Sequence, residues 1–359
     1  MIQNSKIPYC LITDILSDEQ ADRLADIAPK YPDHVIVAMD HNTPCGTVAV
    51  AEKQKKLIEY ARRFGTVFYY GQGIGYHLAM EDHLKEGDIL LSIGVHAPTV
   101  GAAGALGLTV PFDKLVEVIG TGSFDCPEVE EYVTRLDGKL FYHTAAKDIA
   151  LTILENRGEY EGKLLIITGG EELGPADWLT LCNILAHSGA FSVIRRDTSA
   201  EPDMVIDLFK VERKALLPGG YDKIVPMTAL DGLRVSQVFF GGCMGGSIET
   251  MRQVAKALDG KQVSRYVRVL VAPATSKVYE QMLDEGLVDP IMRSGALVMN
   301  QSCSACWAQS QGLCDDNEIF VTTGSINCAN WVERNNNGVY ISSPELALKA
   351  VLTGVLYEN

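Results

Sequence analysis

The sequence predicts an α/β protein of more than one domain, and three observations carry that expectation. Short apolar runs rich in β-branched and aromatic residues recur along the chain. Stretches of helical periodicity lie between them. The length of 359 residues, 47% of them apolar, exceeds what one hydrophobic core takes up. Residues 35–39, 67–70, 89–93, 164–168, 238–240 and 267–272 read as strands of buried parallel or mixed sheets, because they are short runs dominated by apolar, β-branched or aromatic residues. Residues 51–64 and 276–285 read as helices. Residues 116–119 read as a further strand. Boundaries fall near 125, after that run, and near 225, past the loop Pro218-Gly219-Gly220, which gives units of 1–125, 126–225 and 226–359. No internal repeat is evident.

Composition excludes several classes of function. A net charge of −15 argues against general affinity for nucleic acid or anionic membranes, so an anionic substrate needs a local group of Arg, Lys or helix N-termini. No run has the length of a membrane span or the pattern of a signal peptide, and nine cysteines, an odd number, fit a reducing cytoplasm better than a disulfide framework.

The most informative residues are three of those cysteines. Cys243 stands in Gly241-Gly242-Cys243-Met244-Gly245-Gly246, between an apolar run and an amphipathic stretch, with Ser247 as N-cap and Glu249 in the first turn. That order reads as strand, tight turn, helix, with the sulfur exposed at the strand's carboxyl end. Sixty positions later come Cys303 and Cys306, a C-x-x-C pair. Three thiolates suit a metal cluster held on three sides and open on the fourth. By spacing alone the pair equally fits a redox couple, half a zinc site or two core cysteines, although the sequence has no second C-x-x-C or C-x-x-H for zinc.

Histidines supply the second signal. Asp40-His41-Asn42 follows a strand-like run, where α/β proteins tend to build sites, or else forms an Asx turn leading to Pro44. His96 ends another apolar run and precedes the small-residue segment Gly101-Ala102-Ala103-Gly104; it also fits a histidine that merely caps a buried strand. His77 follows Gly71-Gln72-Gly73-Ile74-Gly75-Tyr76. Asn183 and His187 lie four apart, and His187 also reads as a half-buried helix residue.

Taken in order, these motifs resemble the aconitase and 3-isopropylmalate dehydratase large-subunit family. Gly-Gly-Cys, then Arg268-Val-Leu-Val-Ala-Pro, Cys-Ser-Ala-Cys, Asn330-Trp-Val-Glu-Arg-Asn and Ser-Ser-Pro-Glu fall in the family's sequence, as do the upstream motifs, so the likeness spans nearly the whole chain. It implies three α/β/α domains around a central cluster site, and a [4Fe–4S] cluster on Cys243, Cys303 and Cys306. It implies catalytic roles for Asp40, His41, His96, His77 and His187, and substrate contacts from Asn183, Arg334 and Ser325. His41, oriented by Asp40, is then the acid that protonates a leaving hydroxide. The family also has a further small domain or subunit, which implies a small-subunit partner.

The chain departs from the family pattern in one direction. Gly94 and Val95 stand where relatives carry Asp-Ser before the histidine, Ala329 replaces the first of two arginines, and His187 replaces an acid. Met244-Gly245 replaces Thr-Asn, and His77 matches only after a one-residue shift. Retained cysteines with altered substrate contacts imply a hydro-lyase for a small hydroxy carboxylic acid other than citrate. Two alternatives stand beside it: a relative acting on a hydroxylated amino or phosphorylated acid with a smaller cluster, and a non-catalytic metal-binding paralogue.

Overall fold

The computed structural model describes residues 6–141, 143–307, 310–315, 317–325 and 338–357, and among these the chain forms three sheets flanked by helices. The first contains β1 (Tyr9–Thr13), β2 (Val35–Met39), β3 (Val67–Tyr70), β4 (Ile89–Ser92) and β5 (Leu106–Thr109), all parallel, in the order β3-β2-β1-β4-β5. Helices α1 (Asp18–Ala25), α2 (Val48–Phe64), α3 (Gly75–Asp82) and α4 (Phe112–Thr121) connect or follow its strands. The order reverses between β1 and β4, the point at which such sheets open a crevice at their carboxyl ends.

The second sheet repeats the arrangement with β6 (Glu131–Asp137), β7 (Leu164–Gly169), β8 (Ser192–Arg195) and β9 (Met204–Asp207), parallel and ordered β8-β7-β6-β9. Helices α5 (Ala146–Leu154) and α6 (Pro175–Leu185) pack on it around Trp178, Tyr160 and Leu181, all fully buried.

The third sheet runs β11-β10-β16-β15-β12-β13-β14. Its parallel part comprises β12 (Gln237–Phe240), β13 (Arg268–Val271), β14 (Leu297–Val298), β15 (Phe320–Thr322) and β16 (Val339–Ile341), and the antiparallel hairpin β10 (Lys214–Leu216) and β11 (Ile224–Pro226) extends one edge. This hairpin begins ahead of residue 225. Helices α7 (Gly242–Gly245), α8 (Ile248–Leu258), α9 (Ser276–Asp284), α10 (Val288–Arg293) and α11 (Pro344–Thr353) complete the unit. Here the strand order reverses between β12 and β15, a second switch point.

At 116–119 the sequence expectation fails. Residues 116–119 lie in α4, not in a strand. Phe112, Leu115, Val118 and Ile119, all buried, recur at helical spacing and face the first core, whereas the short Val-Glu-Val alternation had imitated a strand.

The first and third units meet through backbone. Gly73 and Thr275 form an isolated bridge, Ile74 N–H donates to the Ala274 carbonyl (2.9 Å) and Ser276 N–H to that of Gln72 (2.8 Å). A side chain at position 73 would overlap Ala274 and Thr275, so glycine is what lets the two chains approach.

Candidate active site

Both switch points open onto the same space. His41 follows β2, His96 follows β4, Cys243 follows β12 and Ser325 lies just past β15, so four strand ends of two sheets aim their first loop residues at one another. Together with Ile15, Tyr76, Gly94, Val95, Gly242, Cys303 and Cys306 they line one narrow cavity.

The acid end is built on Asp14, at the end of β1. Its carboxylate accepts the backbone N–H groups of Asp40 (3.3 Å), His41 (3.0 Å) and Asn42 (3.0 Å) and the Gln54 amide (2.9 Å), which fixes the loop after β2. Asp40, fully buried, accepts His41 Nδ1 at 2.5 Å through one oxygen and Gly75 N–H, at the start of α3, at 2.7 Å through the other. Burial opposes charge on the His41 imidazole, but Asp40 and Asp14 outweigh it and raise its pKa to about 10. Burial raises Asp40 despite its histidine partner, whereas for Asp14 the bonds from His41 and Gln54 overcome desolvation and hold it well below the usual carboxylate range. Trp307 packs edge-on against His41 at 5.2 Å.

The sulfur end is equally crowded. The Cys303 thiol shares a hydrogen bond with Cys243; this bond, aided by the adjacent His96, holds Cys243 well below its ordinary pKa, and the same bond with burial holds Cys303 well above. Burial pushes the Cys306 thiol up as well. Side chains at 242 and 324 would approach Cys306 Sγ to 2.7 and 2.6 Å, so two glycines make the recess in which that sulfur sits. Cys303 N–H donates to the Asp40 carbonyl (2.8 Å), tying the cysteine loop to the acid loop.

His96 joins the two ends. Its Nδ1 lies 3.8 Å from Cys243 Sγ, and its Nε2 meets both His187 Nε2 (2.9 Å) and Ser325 Oγ (3.1 Å). His187 lies beyond the end of α6 rather than one helical turn from Asn183 on it, because the helix stops at Leu185. Tyr221 stacks on it at 4.2 Å and donates to the Ser325 carbonyl. Burial, with His96 beside it, pushes His187 well below the usual imidazole pKa.

Of the residues singled out from sequence, Cys243, Cys303, Cys306, His41, His96 and Ser325 line the cavity, with Asp40 and His187 directly behind. His77 is buried and donates from Nε2 to the Cys243 carbonyl (2.6 Å), bracing the cysteine loop. Asn183 is fully buried; its amide donates to Thr99 Oγ1 (2.7 Å) and pins the His96 segment to α6. Arg334 and Ala329 lie outside the described residues. Asp14, Tyr76 and Tyr221 were missed. Asp14 alone had a readable signal, an acid closing an apolar β-branched run.

A family model described as aconitase family (aconitate hydratase) matches residues 17–201 and 207–354. The chain is 27% identical to the methanogen homoaconitase large subunit of Methanocaldococcus jannaschii, over 90% of this chain and 86% of the relative. It is 29% identical to 3-isopropylmalate dehydratase large subunit 1 of Deinococcus radiodurans, over 94% of this chain and 83% of the relative. Among solved structures, holo-form aconitase X of Thermococcus kodakaraensis superposes with a TM-score of 0.63 over 96% of this chain and 89% of that one; at 11% identity the likeness speaks for the fold.

Proposed function

The chain belongs to the aconitase family, and on that premise we propose that it is the large subunit of an iron–sulfur hydro-lyase acting on a small hydroxy carboxylic acid other than citrate. The observation that carries the reading is the convergence of Cys243, Cys303 and Cys306 with His41 and His96 on one cavity.

The residues fit a cluster: three sulfurs share the cavity wall, and glycines at 242 and 324 keep the recess around Cys306 clear. A [4Fe–4S] cluster on these thiolates supplies one iron without a protein ligand, a Lewis acid for the substrate's hydroxyl and neighbouring carboxylate. His41, its Nδ1 occupied by Asp40, delivers a proton from Nε2 to the departing hydroxide. His96, fixed by Ser325 and His187, orients the wall beside Cys243, and His77 holds that cysteine's backbone. Arg334, by its place in the family motif, anchors a carboxylate.

Two groups that this chemistry needs come from elsewhere. The described lining of the cavity contains no Lys, Arg or carboxylate. Relatives are named large subunits, and in this reading a separately encoded small subunit supplies the base and the remaining cationic contacts. With Gly94 and Val95 in the wall and Ala329 in the arginine motif, a substrate with fewer carboxylates than citrate is preferred. A cytoplasmic location accords with the free thiols, eight among the described residues, and no described helix is long and apolar enough to cross a membrane.

Anaerobic purification followed by iron and sulfide analysis tests the proposal. About four irons and four sulfides per chain are expected, from the three-thiolate open-site argument. About two of each would move the reading to a smaller cluster, and a protein loaded with zinc alone would overturn the hydro-lyase assignment.

A further inference from the structure

Tyr76 and Gly94 form a fitted pair in the cavity wall. Tyr76, in the first turn of α3 and 4% exposed, lays its phenol against Gly94, and a Cβ at position 94 would overlap the phenolic oxygen. The tyrosine therefore fills the space that a side chain at 94 would take, at the position where the family pattern has aspartate.

The hydroxyl there is poorly used by the protein. Among the described residues its one hydrogen bond is to Ser92 Oγ at 3.4 Å, at the limit of useful geometry, and the same oxygen also accepts Gly94 N–H at 3.3 Å. A tyrosine kept only for packing finds a good partner for its hydroxyl or is replaceable by phenylalanine. Tyr76 has only this long contact, and both it and Gly94 line the cavity shared with His41, His96 and the three cysteines. Burial, reinforced by Cys243, Asp40 and Cys303, pushes the phenol's pKa up, so the group stays a neutral donor.

Resting on the hydro-lyase reading, we propose that the Tyr76 hydroxyl is a specificity-determining residue that donates a hydrogen bond to a carboxylate or hydroxyl oxygen of the bound hydroxy acid. Exchanging an aspartate for a neutral donor lets an anionic oxygen sit where the family presents its own negative charge. The glycine is the other half of the device, since any side chain at 94 displaces the phenol.

A double-mutant cycle with two readouts tests this. In cluster-free protein, Gly94→Ala should lower the melting temperature by about 3 °C, yet leave it nearly unchanged in a Tyr76→Phe background, where the overlapping oxygen is gone. In protein reconstituted with iron and sulfide, 3-isopropylmalate and malate are titrated against the EPR signal of the reduced cluster. Tyr76→Phe should weaken binding about tenfold at unchanged iron content, and Gly94→Ser added to it should recover part of the loss. Binding of both acids within twofold of the unmodified protein would overturn the proposal, as would a Gly94→Ala effect of equal size in both backgrounds. The iron and sulfide content reports separately on the hydro-lyase reading, so the two failures are told apart.

Discussion

A single carboxylate, Asp40, sets the state of the proposed acid, since it binds His41 Nδ1 while α3 steadies its other oxygen. Replacing it with asparagine keeps the shape and removes the charge. Asp40→Asn is expected to lower kcat by about 10²–10⁴-fold, the range for losing positioned general acid catalysis, with iron content retained. A variant within threefold of the unmodified rate would remove His41 from the role. His187 offers a test by pH. Its pKa is lowered in the folded state, so below the unfolded value of about 6.5 the unfolded chain binds a proton that the folded chain does not, and stability falls with pH. His187→Gln should flatten the decline in cluster-free protein as denaturant midpoints are followed from pH 7 to pH 5. An unchanged slope would mean that the imidazole titrates freely.

At the scale of elements, legibility followed locality. The strands at 35–39 and 67–70 and the helix to Phe64 stand where apolar runs and periodicity put them. Ser247 accepts Thr250 N–H at the start of α8 as its position after the glycine turn implied. Ser247→Ala should therefore cost about 1 kcal/mol of stability, measured by urea unfolding of the cluster-free chain. Residues 116–119 were misread because four residues are too few to separate a period of two from one of 3.6; the neighbours Phe112 and Leu115 decide it. The α3 segment shows a different limit. Nothing local announces that its first N–H will meet Asp40 or that Tyr76 will lie over Gly94, since both depend on how two strand ends come together.

Across the whole molecule, Cys243 and His41 were readable because each follows its own strand, and Cys303 and Cys306 because they stand in a C-x-x-C pair. Asp14 and Tyr221 act through partners 27 and 104 positions away, respectively, and a single sequence carries no trace of such pairings. The proposed partner, which rests on the relatives being named large subunits, is tested at this scale: coexpression with its cognate small subunit should yield a complex by light scattering and raise turnover at least tenfold, whereas full turnover by the isolated chain would place the base within it. The hydrogen bond from Cys303 N–H to the Asp40 carbonyl also has a bearing on biosynthesis. It joins the first third of the chain to the last, and the three sulfurs themselves span residues 243 to 306. At about 5–20 residues per second, a ribosome makes Asp40 roughly 15 s to a minute before Cys303 and Cys306. During that interval the loop after β2 holds the histidine and its carboxylates without the cysteine loop that later closes over them. In the proposed reading the three-thiolate site exists only once Cys306 has been made, so iron supply has to wait for the cysteine loop of the third sheet.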